Sequence, residues 1–134
     1  MRLLAGLLAL IVTFADARAA ELVMFTQRGC AWCQRFEREV APAYEKTTEG
    51  KRAPLRRVDI AQPQPPDLAF IPRERFTPVF VLIDNGREFG RIRGYPGDAF
   101  FYGLLDNLIA QMDRGEAATP DPSAAPPAGA TLAE

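Results

Sequence analysis

The sequence predicts an α/β domain, a four-stranded mixed sheet flanked by helices in the order β-α-β-α-β-β-α, and three observations carry that expectation. A strand-like run, a helical apolar period and a second strand-like run follow one another, the pattern of a parallel crossover unit. A dense β-branched and aromatic run meets Asn85-Gly86 and then a second run, the pattern of an antiparallel hairpin. An apolar stripe at three- and four-residue spacing ends the domain with a helix that needs a sheet to cover.

Residues 1–19 carry Arg2, an apolar stretch from Leu3 to Phe14, and Ala17-Arg18-Ala19, which reads as a secretory signal with cleavage after Ala19. The stretch is about twelve residues, short of the roughly 20 that span a bilayer, which weighs against the alternative of an uncleaved anchor. The domain is expected over residues 20–114. "ELVMFTQ" (Glu21–Gln27) reads as a buried strand ahead of Arg28-Gly29. From Cys30 onward, Cys33, Phe36, Val40 and Tyr44 recur at helical spacing, and Pro42, which has no amide hydrogen, should kink that helix or end its regular part. "PLRRVDI" (Pro54–Ile60) is the second strand. Prolines at 63, 65, 66 and 72 leave room only for a short helix around Asp67–Ile71. "TPVFVLID" and "REFGRIRG" flank the Asn85-Gly86 turn as hairpin strands. The last helix should start near Gly97-Asp98, capped by Asp98, and bury Phe101, Leu104, Leu105, Leu108, Ile109 and Met112. Residues 115–134, rich in Ala, Pro, Gly and Thr, read as a disordered tail.

The formal net charge is −1, and "KRAPLRR" is the one local basic cluster, so there is no electrostatic case for nucleic acid. There is no histidine, which removes Cys-His and Ser-His nucleophilic schemes. Export would let the two cysteines stay oxidised, whereas the cytosol would keep them reduced.

Cys30 and Cys33 follow a strand and open a helix. A helix N-terminus exposes unpaired amide hydrogens and partial positive charge, which favours a thiolate at Cys30. Such placement lowers a thiol pKa from about 8.5 to between roughly 3.5 and 7.5. Cys33, one turn on, falls on the inward side with Phe36 and Val40. An exposed nucleophilic thiol beside a shielded one is the arrangement that attacks a disulfide and resolves the mixed disulfide. A permanent structural bridge is a second reading, although so small a loop makes a poor staple. Two-coordinate copper(I) on the two thiolates is a third; zinc wants four ligands, and no metal site is assigned. Trp32, between the cysteines, is a large aromatic suited to partner recognition.

With Thr77-Pro78 at the head of the third strand, the order of elements resembles the thioredoxin fold, so the expected class is a thioredoxin-like α/β fold. The resemblance implies that Pro78 is a cis-proline lying against the cysteine pair, with Thr77 before it, where backbone is open to an extended partner segment. A trans proline starting an edge strand is the alternative. It also places Gly94-Tyr95-Pro96-Gly97 beside the active site, where Tyr95 lines the docking groove or simply belongs to a turn. Within the superfamily, "GCAWCQRFEREVAPAYEKTTEGKRAPLRRVDI" looks like the exported SoxS-type proteins associated with bacterial sulfur oxidation. That likeness implies a periplasmic thiol-disulfide oxidoreductase, a monomer with no cofactor. It would act on a thiol or disulfide partner such as a sulfur-carrier protein and be recharged by a membrane electron donor. A non-catalytic interaction domain with an inert disulfide remains a further alternative. Two departures stand out: Ala31-Trp32 replace the Gly-Pro of thioredoxins proper, and Met24 replaces their buried aspartate. Glu37 is the nearest substitute carboxylate, and its helix position points it to solvent.

Overall fold

The computed structural model describes residues 19–119; the expected signal through Arg18, and the tail from Pro120 on, lie outside the described residues. Four strands, four helices and one turn are arranged as β1 (Glu21–Thr26), α1 (Ala31–Glu39), α2 (Ala41–Tyr44), α3 (Thr48–Arg52), β2 (Leu55–Asp59), a 3-10 turn at Pro66–Leu68, β3 (Val79–Asp84), β4 (Arg87–Arg93) and α4 (Asp98–Asp113). The strands make one sheet ordered β2-β1-β3-β4, with β1 parallel to β2 and the other pairings antiparallel. The mixed sheet is the one the sequence predicts.

Strand side chains alternate between faces, so β1 feeds two cores. Leu22 and Met24 join Phe36, Val40, Tyr44, Phe80, Leu82, Phe101, Leu105 and Ile109 on the face covered by α1 and α4. Val23 and Phe25 join Val58, Leu68, Ile71, Val79, Val81 and Ile83 on the other. Burial on both faces is why β1 and β3 read as continuous apolar runs.

The helical period from Cys33 to Tyr44 is broken where Pro42 requires it. Helix α1 ends at Glu39, Val40 donates its N–H to Phe36 at 2.9 Å, and Pro42 sits in the first turn of α2, where a missing N–H costs nothing. Helix α3 was not expected. Thr47 caps it by accepting from Gly50 N–H at 3.0 Å, and Tyr44 closes the segment by donating its hydroxyl to the Ala53 carbonyl at 2.8 Å. Gly50 lies so close to the previous turn that a Cβ would stand 1.9 Å from the Tyr44 carbonyl oxygen.

Three other expectations are corrected. The helix expected around Asp67–Ile71 is a single 3-10 turn, shortened by the prolines ahead of it. Asp98 is not the cap residue of α4: Gly97 holds that position, and Asp98, already inside the helix, accepts only from Ala99 N–H at 2.7 Å. Leu104 faces solvent at the margin of the stripe, while Phe101, Leu105 and Ile109 are buried. Beyond residue 114, Ala117 rests on the core and Ala118 donates to the Glu88 carbonyl at 2.9 Å. In the hairpin, Asn85 and Gly86 have φ of 49° and 71°, the left-handed pair a two-residue type I′ turn needs.

Candidate functional site

The site is built where β1 ends. A turn through Gln27–Gly29 delivers Cys30 as the N-cap of α1, with extended backbone at φ −78° and ψ 103°. Its Sγ accepts from Cys33 N–H at 3.1 Å. The sulfur therefore occupies the place a capping oxygen usually takes, against one of the orphan amides and at the positive end of the helix dipole. Cys30 and Cys33 are joined as a disulfide with Cα atoms 5.2 Å apart.

The two sulfurs differ in access in the expected order but by less than expected. Cys30 keeps 9 % of its surface and Cys33 3 %, so Cys30 is a nearly buried residue rather than an open thiol. Capping turns its side chain back over the helix end, and the bridge to Cys33 holds it there.

Trp32 is 54 % exposed between them. The Arg35 guanidinium lies 5.6 Å from its ring centroid and 5.9 Å from that of Tyr95. Arg35 Nε donates to Glu39 Oε1 at 2.8 Å, and the Tyr95 hydroxyl donates to Glu39 Oε2 at 2.8 Å. Tyr95 is 5 % exposed and meets Phe36 edge-on, so its ring supports α1 from within and offers little surface to a groove. The Arg35 hydrogen bond, then the Tyr95 one, hold the Glu39 carboxyl below the usual carboxylate range. Burial, then the Glu39 bond, push the Tyr95 phenol up. Sequence reasoning missed Arg35 and Glu39; their four-residue spacing on α1 was the available signal.

Thr77 and Pro78 reach the same end of the sheet from the neighbouring strand. Phe25 near the end of β1 pairs with Val79 at the start of β3, which puts Pro78 at the Cys30 end of the strands. The Thr77-Pro78 peptide is cis, and Pro78 accepts from Gly94 N–H at 2.8 Å. Among the described residues the Thr77 backbone has no hydrogen-bond partner, and its Oγ1 is buried without one. Phe76, next to it and not singled out from sequence, is 79 % exposed.

Met24 lies fully buried in the same core as both cysteines. No buried polar or charged residue stands near the pair among the described residues. Glu37 is on the outer face as expected, where Arg57 Nε donates to it at 2.6 Å. No group of three or more metal-ligating side chains occurs among the described residues.

Residues 10–109 match the thioredoxin-like domain family. Among solved structures, the chain is similar to the periplasmic thioredoxin SoxS from Paracoccus pantotrophus in its reduced form. The identity is 44 %, over 69 % of this chain and 98 % of that one, with a TM-score of 0.66. It shares its fold with a thioredoxin from Thermus thermophilus at 24 % identity, over 69 % of this chain and 75 % of that one, with a TM-score of 0.56. Among curated proteins no match is found.

Proposed function

Because this chain belongs to the thioredoxin-like family and carries its Cys-x-x-Cys pair at disulfide distance, which makes it a thiol-disulfide oxidoreductase, we propose that it works in the periplasm and reduces disulfides of a partner protein. The observation that carries this reading is the position of Cys30 Sγ on the amide-bearing end of α1. In the reduced protein the Cys30 thiolate attacks one sulfur of the partner disulfide, forming a mixed disulfide and expelling a partner thiolate. Cys33 then loses its proton and attacks Cys30 Sγ, closing the intramolecular bridge and releasing the second partner thiolate. Two electrons pass to the partner, and two protons leave its thiols complete. With Met24 where a carboxylate would serve as relay, the Cys33 proton passes to the departing thiolate or to water.

Docking follows from the unspent backbone at Thr77, whose N–H and C=O suit an extended segment laid across Pro78. Trp32 is exposed between the cysteines. Reduction is favoured over oxidation because Ala31-Trp32 place no cation between the cysteines to hold a thiolate there. Export is supported by the signal-like residues 1–19 and by the likeness to a periplasmic thioredoxin. A reductant there needs recharging, for which a membrane electron donor is the proposed source, and the SoxS likeness makes a sulfur-carrier protein the first partner to try. The test is Cys33→Ser, which should accumulate a partner as a mixed disulfide that reductant releases. Absence of any adduct, together with stoichiometric copper(I) binding by the reduced protein and no disulfide turnover, would replace this reading with the metal-binding one.

A further inference from the structure

Three unpaired arginines stand at one end of the strands. At the end where β1 stops, Arg28 precedes the redox pair, Arg75 stands three residues before Pro78, and Arg93 ends β4 opposite Val79, the residue after Pro78. All three are exposed, and among the described residues none has a hydrogen bond or ion pair. Most other arginines are spent: Arg52 on Asp113, Arg56 on Glu21 and Asp67, Arg57 on Glu37, Arg91 on Glu74 and Glu88. Arg38, on the last turn of α1, is the exception on that helix.

The other end is mixed in charge: Lys46, Lys51 in α3 and Arg87, opposite Asp84, are exposed there with no ion pair among the described residues, and carboxylates stand beside them. Glu49 lies in α3, beside the start of β1, where Leu22 N–H meets the Pro54 carbonyl; Asp106 feels the charge of Glu49; and Asp84 ends β3 beside that same edge. None of these has an ion-pair partner among the described residues. At the redox end, Asp59 and Asp98 each accept from a backbone amide, of Ala61 and Ala99, while Glu39 and Glu74 are paired with Arg35 and Arg91. A chain of net charge −1 thus keeps three unpaired arginines at its disulfide end. Exposed Trp32 and Phe76 belong to the same two segments as Arg28 and Arg75, and arginine with large aromatics is the composition of interface centres.

We propose that this face selects an acidic partner, an extended segment whose redox-active cysteine is flanked by aspartate or glutamate. The proposal rests on the oxidoreductase reading and narrows its substrate class. Unspent guanidinium groups draw such a segment in and orient it, and they repel a basic one.

The test compares two synthetic disulfide peptides that differ only in glutamate or lysine flanks. At low salt the reduced protein should turn over the acidic peptide about tenfold faster than the basic one, and the ratio should shrink several-fold by about 0.5 M salt. The triple variant Arg28→Glu, Arg75→Glu, Arg93→Glu should invert the order, with far-UV circular dichroism confirming the fold. Equilibrium binding of the same peptides with serine in place of cysteine reads the surface without the chemistry. Equal affinities and equal rates for the two peptides overturn the proposal while turnover itself stands. Binding that keeps the acidic preference while no disulfide is reduced supports the surface and defeats the enzymatic reading instead. Binding to anionic phosphatidylglycerol vesicles without discrimination between the peptides also overturns it, in favour of a lipid surface.

Discussion

On the proposed reading, Cys30 draws its reactivity from backbone rather than from any neighbouring side chain. Its sulfur sits on the Cys33 amide, no histidine exists in the chain, and the nearest cation on α1, Arg35, is occupied by Glu39 and two aromatic rings. That stack makes Trp32 a reporter, because it is the one tryptophan in the sequence. Arg35→Gln should shift and brighten Trp32 emission and raise KM for a protein disulfide by a few-fold, with kcat nearly kept; unchanged emission and KM would mean the stack does not position the ring. Glu39 has a depressed pKa through Arg35 first and Tyr95 second, so its stabilising contribution is complete above the ordinary carboxylate value, about 4.3, and is lost as pH falls through its lower folded value. Trp32 emission should therefore change on acidification below about pH 4, and Glu39→Gln should abolish that limb. The Cys-x-x-Cys pair was legible because it is a short local pattern, and the cis bond at Pro78 was expected from the resemblance. The Tyr95–Glu39 bond was not, since it joins residues 56 positions apart.

At the scale of the element, α1 is held by its inner face. Phe36 is fully buried against Phe80, Tyr95 and Phe101, with centroids 4.6, 5.6 and 5.1 Å away. Phe36→Ala should cost about 3–5 kcal/mol in denaturant unfolding and loosen the helix that carries both cysteines. Gly50→Ala, which adds a single methyl against the Tyr44 carbonyl, should cost about 1–3 kcal/mol despite the better helix propensity of alanine. A calorimetric Tm equal to or above that of the parent would show that α3 is freer to move than its packing implies. The amphipathic elements, α1 and α4, could be read from their periods. Helix α3 could not: "TEGKR" has no apolar repeat, buries only Gly50, and is ordered by the Thr47 cap and by its neighbours. Leu104 was misplaced for a related reason, because a stripe at helical spacing does not show where its margin meets solvent.

For the whole molecule, strand order and cysteine placement are one fact. With β1 central and paired to both β2 and β3, the two segments that make the site, Gln27–Cys30 and Thr77–Pro78, emerge side by side although they are far apart in sequence. The element order was readable locally; the meeting of the two segments came from likeness to the thioredoxin fold, and the pairing of Phe25 with Val79 now gives it a geometry. The gathering of Arg28, Arg75 and Arg93 at the redox end was not readable, because they come to one end only once β3 and β4 are laid beside β1. The account as a whole requires that the fold ionise Cys30, and the most direct measurement is the pH dependence of iodoacetamide alkylation of the reduced protein, with the modified residue located by mass spectrometry. Cys30 should react first, with a midpoint at least about one pH unit below the ordinary thiol value of roughly 8.5, while Cys33 stays unmodified. A midpoint at that ordinary value, or preferential labelling of Cys33, would contradict the account.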